Sequence, residues 1–172
     1  MSNPVFDAVR TVLAVREYQD RPIPDDVLGR IVEAGHLSAS ASNVQPWHFV
    51  VVTDRASLRE LGGLVASGPY IAGAAAAIVV AYEKANQLGV SDVSRAIQSM
   101  LLVAWGDGVG SNWTGFGRLD GVRKKVGLPD GYEVLAVLPF GYPKRKIGLG
   151  KKKRKPLAEV ASAEQYGTPF KQ

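Results

Sequence analysis

The chain contains no cysteine, which removes disulfides, thiolate metal sites and cysteine nucleophiles together. Its two histidines, His36 and His48, have no paired carboxylates clustered with them, so a metal-centred catalyst is not indicated. Redox chemistry, if there is any, would have to be carried by a bound group rather than by a side chain. Long hydrophobic runs are also missing. The longest, Ala74 to Tyr82, is far too short to span a bilayer. The opening Met1-Ser2-Asn3-Pro4 has neither the basic nor the apolar region of a signal peptide, and Asp7 and Arg10 soon interrupt the apolar positions. A cytoplasmic location without membrane attachment is the expectation.

What is present suits one domain over residues 1–172, with 46% hydrophobic and 22% charged residues, near ordinary globular values. The net charge of +5 is a local feature. Lys144-Arg145-Lys146 and Lys151-Lys152-Lys153-Arg154-Lys155 form a strip with no acid among residues 144–155, and without it the remainder is net acidic. Residues 144–172 read as a basic, extended C-terminal segment. The strip has three readings: a solvated tail, a nucleic-acid footprint or a clamp for a small anionic group. Nucleic-acid binders usually interleave aromatics or carry a recognition module, and neither is evident, which leaves the clamp and the tail level.

Pro4 can open a first helix capped by Ser2 or Asn3, with Val5, Phe6, Val9, Val12 and Leu13 on one apolar stripe reaching to about Val15. Arg21-Pro22-Ile23-Pro24 enforces an extended crossing, and Pro24 then opens a second helix whose buried face is Val27, Leu28, Ile31, Val32 and Leu37. The continuous apolar run Trp47 to Thr53 predicts a central strand buried on both faces. A short helix is expected over Ala56 to Val65 and a buried strand over Ala74 to Tyr82, although the alanine-rich half would equally suit a helix. Ser91 or Asp92 is placed to cap a third long helix to about Trp105, apolar on more than one side. Asp120 to Val126 reads as a short basic helix and Glu133 to Phe140 as the last strand.

Two loops stand out. Ser38 to Gln45 is small, polar and flexible before it turns at Pro46 into Trp47, a composition that lets backbone and amide groups approach a polar ligand closely. On composition alone a plain helix-to-strand connection explains it as simply. Gly106 to Gly117 is dense in glycine, but it follows a predicted helix and its spacing does not give GxGxxG, so it is not a dinucleotide phosphate loop. Its exposed amides suit a flat heteroaromatic ligand.

In this order the segments resemble the nitroreductase family of flavin oxidoreductases over nearly the whole chain. Ser40-x-x-Asn43-x-Gln45-Pro46-Trp47-His48-Phe49 is similar to that family's flavin loop, and Arg16-Glu17-Tyr18 to its R-x-F/Y segment. Ala96 to Leu102, the Gly-Val-Gly-Ser-x-Trp loop at 108–113, and Phe140-Gly141-Tyr142-Pro143 followed by Lys152-x-Arg154-x-Pro156 complete the resemblance. It implies an α+β fold, a three-layer α/β/α sandwich with a mainly antiparallel central sheet, built as an intertwined homodimer with FMN at each subunit interface. By the same resemblance Arg16 approaches the ribityl chain and pyrimidine edge, Ser40 and Asn43 contact ribityl and ring, Gln45 belongs to the same flavin-binding loop, and the Thr114 and Gly115 amides face the N5–O4 edge. Lys152 and Arg154 hold the phosphate. The implied activity is hydride transfer from NAD(P)H through flavin N5 to a small acceptor such as a nitroaromatic or quinone. No catalytic side chain, metal or membrane partner is implied. An alternative is a flavin-binding or apo scaffold without turnover. It is motivated by one departure, Val12-Leu13-Ala14, where the family usually carries a basic pair and a serine.

Overall fold

A computed structural model describes residues 3–115, 117, 119–145 and 152–170, so Lys146 and Lys151 of the basic strip and Phe116 of the glycine loop lie outside the described residues. Strand β2 (Ala76–Glu83) sets the architecture. It pairs antiparallel with β1 (Trp47–Val52) on one side and with β4 (Tyr132–Gly141) on the other, and the two-residue β3 (Gly110–Ser111) extends the sheet beyond β4. The order is β1-β2-β4-β3.

Side chains alternate across a strand, so β2 supplies both faces of the sheet. Ala76, Ile78 and Val80 pack with Ile31, Val93, Ile97 and Met100, which come from helices α2 (Asp25–His36) and α4 (Gly89–Gly106). Ala77, Val79 and Ala81 pack with Leu58, Leu61 and Val122, from α3 (Arg55–Leu64) and α5 (Asp120–Lys125). Every residue from Ala76 to Ala81 is buried, and each large aliphatic side chain so placed contributes about 1.5–3 kcal/mol. This is the α+β, helix–sheet–helix arrangement expected, with an antiparallel sheet.

Several local expectations are corrected. Helix α1 (Pro4–Thr11) is capped by the Asn3 side chain, which accepts from the Val5 and Phe6 amides, but it stops well short of Val15. Past Thr11 the chain turns extended and Val15 N–H donates to Ser111 O at 2.9 Å, trading helix for a short pairing with the sheet edge. The α1 stripe exists but faces outward, with Val5 67% and Phe6 61% exposed. Leu37, assigned to the buried face of α2, is 72% exposed because the helix ends at His36 and its cap residue leaves the apolar stripe. Strand β1 is an edge strand, partly exposed, and not the buried central strand expected; β2 and β4 hold the centre. Asp92 does not cap α4. The helix begins at Gly89, one turn earlier, and Asp92 is fully buried inside its first turn.

Candidate functional site

Arg16 is held by its neighbours. Val15 and Tyr18 are buried on either side of it, each against a glycine: a Cβ on Gly110 would come within 2.4 Å of Val15, and one on Gly141 within 2.8 Å of Tyr18. Only a residue without a side chain lets the segment lie this flat on the sheet edge. Tyr18 OH donates to Val15 O at 2.7 Å, and burial pushes its phenol well above the usual tyrosine range, so it stays a neutral strut. Arg16 is thereby left exposed in a shallow groove of about 240 Å³ with Ala14, Val15, Glu17, Pro143 and Arg145. Its guanidinium lies 5.9 Å from the Tyr70 ring centroid, and Tyr70 OH accepts from the Asn112 side chain.

The chain returns to this end through the basic segment. Lys152 donates from Nζ to Val9 O, on the last turn of α1, at 2.6 Å. Partial burial, and then the neighbouring Arg154 charge, hold the Lys152 ammonium below the ordinary lysine value. Among the described residues Arg16, Lys152 and Arg154 form no salt bridge, whereas Arg10 is turned to Asp7 at 3.0 Å and Arg145 lies 3.6 Å from Glu17. Two cations drawn together without a carboxylate fit an anionic group. The tether to Val9 O holds Lys152 at the last turn of α1, and the next residues, Val12 and Leu13, bring no polar side chain.

The loop before β1 is built differently. Ser42, Asn43 and Gln45 have φ of 50°, 56° and 54°, a left-handed backbone costing about 1 kcal/mol per residue for side chains other than glycine. Internal hydrogen bonds hold the shape: Gln45 N–H to Ser40 Oγ at 2.9 Å, Asn43 N–H to Ser40 O and Val44 N–H to Ala41 O, both at 3.1 Å. Because Ser40 Oγ accepts in this network, its hydroxyl proton is left free to donate elsewhere. The Asn43 side chain is exposed, while Gln45 bonds back through Nε2 to Asn43 O at 3.3 Å.

Thr114 and Gly115 are buried beside β4, where Thr114 forms an isolated bridge with Val137, and their amides are engaged within the chain. Thr114 N–H donates to Val137 O at 3.2 Å, and Gly115 N–H to Ser67 Oγ at 3.1 Å. Ser67 also lies 3.0 Å from Thr114 Oγ1. For the Gly115 amide to serve a ligand, the Ser67 hydroxyl would have to give way. The neighbouring Trp113 indole N–H is buried without an acceptor among the described residues. Sequence reasoning passed over Ser67 and Tyr70 and read Asp92 only as a helix cap. Only Asp92 carried a usable signal, an acid three residues before Arg95 on a predicted helix.

The Ser40–Gln45 loop and the end that holds Arg16 and Lys152 do not converge within one chain. The Ser40–Gln45 loop is tied to Asp92 by the Ala41 amide, and α1, which anchors Lys152, is tied to Trp105 by its indole N–H donating to Thr11 Oγ1. Asp92 and Trp105 lie about 20 Å apart along α4 at 1.5 Å per residue. The sheet repeats the separation, since the loop enters β1 at Trp47, aligned through Tyr82 with Glu133, whereas Tyr18 bridges Pro143 at the far end of β4.

Comparison with known proteins gives a consistent result. The model of the nitroreductase family matches residues 10–90 and 67–142. A candidate NADH dehydrogenase/NAD(P)H nitroreductase of Methanothermobacter thermautotrophicus is 34% identical over 152 residues, covering 84% of this chain and 80% of that protein. The crystal structure of a protein given the same description, from Bacteroides thetaiotaomicron, superposes with a TM-score of 0.88 at 30% identity over 96% of this chain and 100% of the other. A candidate nitroreductase from Desulfovibrio desulfuricans, solved in complex with FMN, gives a TM-score of 0.83 at 27% identity over 96% and 99% of the two chains.

Proposed function

The chain belongs to the nitroreductase family, and from that premise we propose that it is a single-domain, FMN-dependent oxidoreductase that takes electrons from NAD(P)H and works as a homodimer. The observation that carries the proposal is the pairing of unneutralised cations at Lys152 and Arg154 with a separate, pre-shaped amide and hydroxyl loop at Ser40–Gln45. Bound FMN would supply hydride chemistry at its N5 position, which no side chain here provides. Lys152 and Arg154 would hold its phosphate, and Arg16 would place positive charge beside the ribityl chain and ring edge. Ser40 and Asn43 would donate to the ring and ribityl oxygens.

The separation along α4 makes one chain insufficient. The loop of one subunit would complete the site begun by the cations of the other, and the outward stripe Val5, Phe6 and Val9, with Leu157 and Val160 of the C-terminal segment, is apolar surface that a second copy would cover. Among the described residues no helix is long and apolar enough to cross a membrane. We place the protein in the cytoplasm, where its nicotinamide donor is supplied. The acceptor would be a small molecule such as a nitroaromatic or quinone.

Titration of the purified chain with FMN, followed by addition of NAD(P)H, tests the proposal. Saturable binding and bleaching of the flavin absorbance are expected; a chain that ignores FMN would overturn it. Because the Gly115 amide is already donated to Ser67, a second reading remains, a flavin-binding scaffold without turnover. It predicts saturable FMN binding with no bleaching by NADH or NADPH in stopped flow.

A further inference from the structure

Asp92 is the one charged residue among the fully buried described residues, at 0% exposure, and a carboxylate in that position needs partners to offset its lost hydration. It has two. One oxygen pairs with Arg95, itself 52% exposed, and the other accepts the Ala41 amide at 3.1 Å. Ala41 belongs neither to α4 nor to the sheet but begins a short 3-10 turn. It opens the left-handed stretch that contains Ser42, Asn43 and Gln45, and its amide is directed away from that loop's internal bonds into the body of the domain. A second clasp lies two turns on along α4, where Ser38 Oγ and Ser99 Oγ are 2.8 Å apart. Strained backbone of this kind persists only where its surroundings fix it. The bonds inside the loop fix its shape, and among the described residues the two clasps are the hydrogen bonds that tie it to α4.

We propose that Asp92 is a positioning residue. Its buried carboxylate latches the Ala41 amide to α4 and so presents Ser40 and Asn43 in the orientation that receives the cofactor. Asp92 touches no ligand itself. It acts through the loop, and the Ser38–Ser99 contact is the weaker half of the same latch. The inference rests on the reading of the loop as flavin-binding, and its test separates the two.

Amide hydrogen exchange at Ala41–Gln45 is measured on the full-length apoprotein for wild type, Asp92→Asn, Asp92→Ala and Ser99→Ala, together with the FMN dissociation constant of each. Val93→Ala serves as the control, since Val93 is equally buried in the same turn of α4 and has no bond to the loop. Asp92→Ala should speed exchange at the Ala41 amide by about tenfold or more while β2 stays protected, and weaken FMN binding by a similar factor. Asp92→Asn keeps an acceptor oxygen for Ala41 and should recover part of both effects. Ser99→Ala should show a smaller change of the same kind, and Val93→Ala should lower the melting temperature without altering loop exchange or FMN affinity. Unchanged Ala41 exchange in both Asp92 variants overturns the latch, as does a Val93→Ala effect on the loop equal to that of Asp92→Ala. If Asp92→Ala does not fold, Asp92→Asn and Ser99→Ala carry the same decision. Should wild type fail to bind FMN, the flavin reading falls, while the exchange arm still decides whether Asp92 holds the loop.

Discussion

The two ends of the proposed site are built on opposite principles. At the Ser40–Gln45 end the geometry is fixed in advance: three left-handed residues, a closed set of internal hydrogen bonds and a buried carboxylate behind them. At the Lys152 end little is fixed except charge, since the ammonium is tethered by a single bond to Val9 O and Arg154 is exposed beside it. The first end specifies shape; the second supplies field. A flat ring with several edge acceptors needs the former, whereas a phosphate binds cations from many directions and tolerates the latter.

The largest effect should come from separating the ends onto different chains. One variant loses the loop donors (Ser40→Ala with Asn43→Ala) and another loses the cations (Lys152→Ala with Arg154→Ala). Each homodimer should bind FMN far more weakly than wild type. Mixed under conditions that exchange subunits, they form heterodimers in which one of the two sites takes both intact ends, so tight flavin binding should reappear on mixing. If no tight binding returns, both ends act within one chain, and the distance argued along α4 does not describe the functional site.

The cation variant alone sharpens the contrast. Charged hydrogen bonds are worth about 1.5–3 kcal/mol each, so removing Lys152 and Arg154 should weaken FMN by roughly hundredfold or more and flatten its salt dependence. Riboflavin, which has no phosphate, should bind the variant and the wild type alike in fluorescence titrations. An equal loss for both ligands would mean that the basic segment shapes the site instead of charging it.

How much of this was readable in advance differs between the two ends for physical reasons. The Lys152–Arg154 strip announces itself by charge density, which needs no fold to be seen. The loop's residue types were legible too, but its latch was not, because Asp92 meets Ala41 only through tertiary packing and a local reading makes it a helix cap. Strand β1 shows the same limit. Its unbroken apolar run reports two apolar faces and says nothing of whether both edges are paired, so it was expected at the centre and lies at the edge. The spacing gives the α1 stripe at Val5, Phe6 and Val9, but the helix ends before Val12 and Leu13, and among the described residues the stripe stays exposed. The flatness around Arg16 depends on Gly110 and Gly141; both stand in segments that carry the family resemblance, but their contact with Val15 and Tyr18 is visible only in the fold.

A smaller effect is expected from relaxing the pre-shaped end. Ser42 has φ 50° and ψ 23°, which glycine adopts without strain. Against the extra chain entropy glycine brings to the unfolded state, Ser42→Gly should still be neutral to stabilising by up to about 1 kcal/mol, a rise in melting temperature of at most about 2–4 °C. The same change should cost FMN affinity a few-fold, since the loop would no longer be held in one conformation. A calorimetric scan and a binding titration on the same preparation check both. A variant that is more stable and binds better would show that the left-handed backbone is incidental to the ligand.

The smallest effect concerns protons at the field end. Burial and Arg154 depress the Lys152 pKa in the free chain below its ordinary value of 10.5. Below the depressed value the lysine is charged both folded and unfolded, and its burial cost is fully present. As pH rises through that value toward 10.5 the folded chain sheds the proton first, and the cost is relieved. A bound phosphate reverses the preference, because a dianion beside the ammonium stabilises its charged form. FMN binding should therefore take up a fraction of a proton in the window just below 10.5, and affinity should decline as pH climbs through it. Riboflavin should show neither effect, and Lys152→Arg, whose charge does not titrate there, should abolish the pH dependence while keeping FMN bound. Proton uptake measured calorimetrically in buffers of different ionisation enthalpy distinguishes this from general alkaline loosening of the fold, which would weaken FMN and riboflavin together and leave the arginine variant no better than wild type.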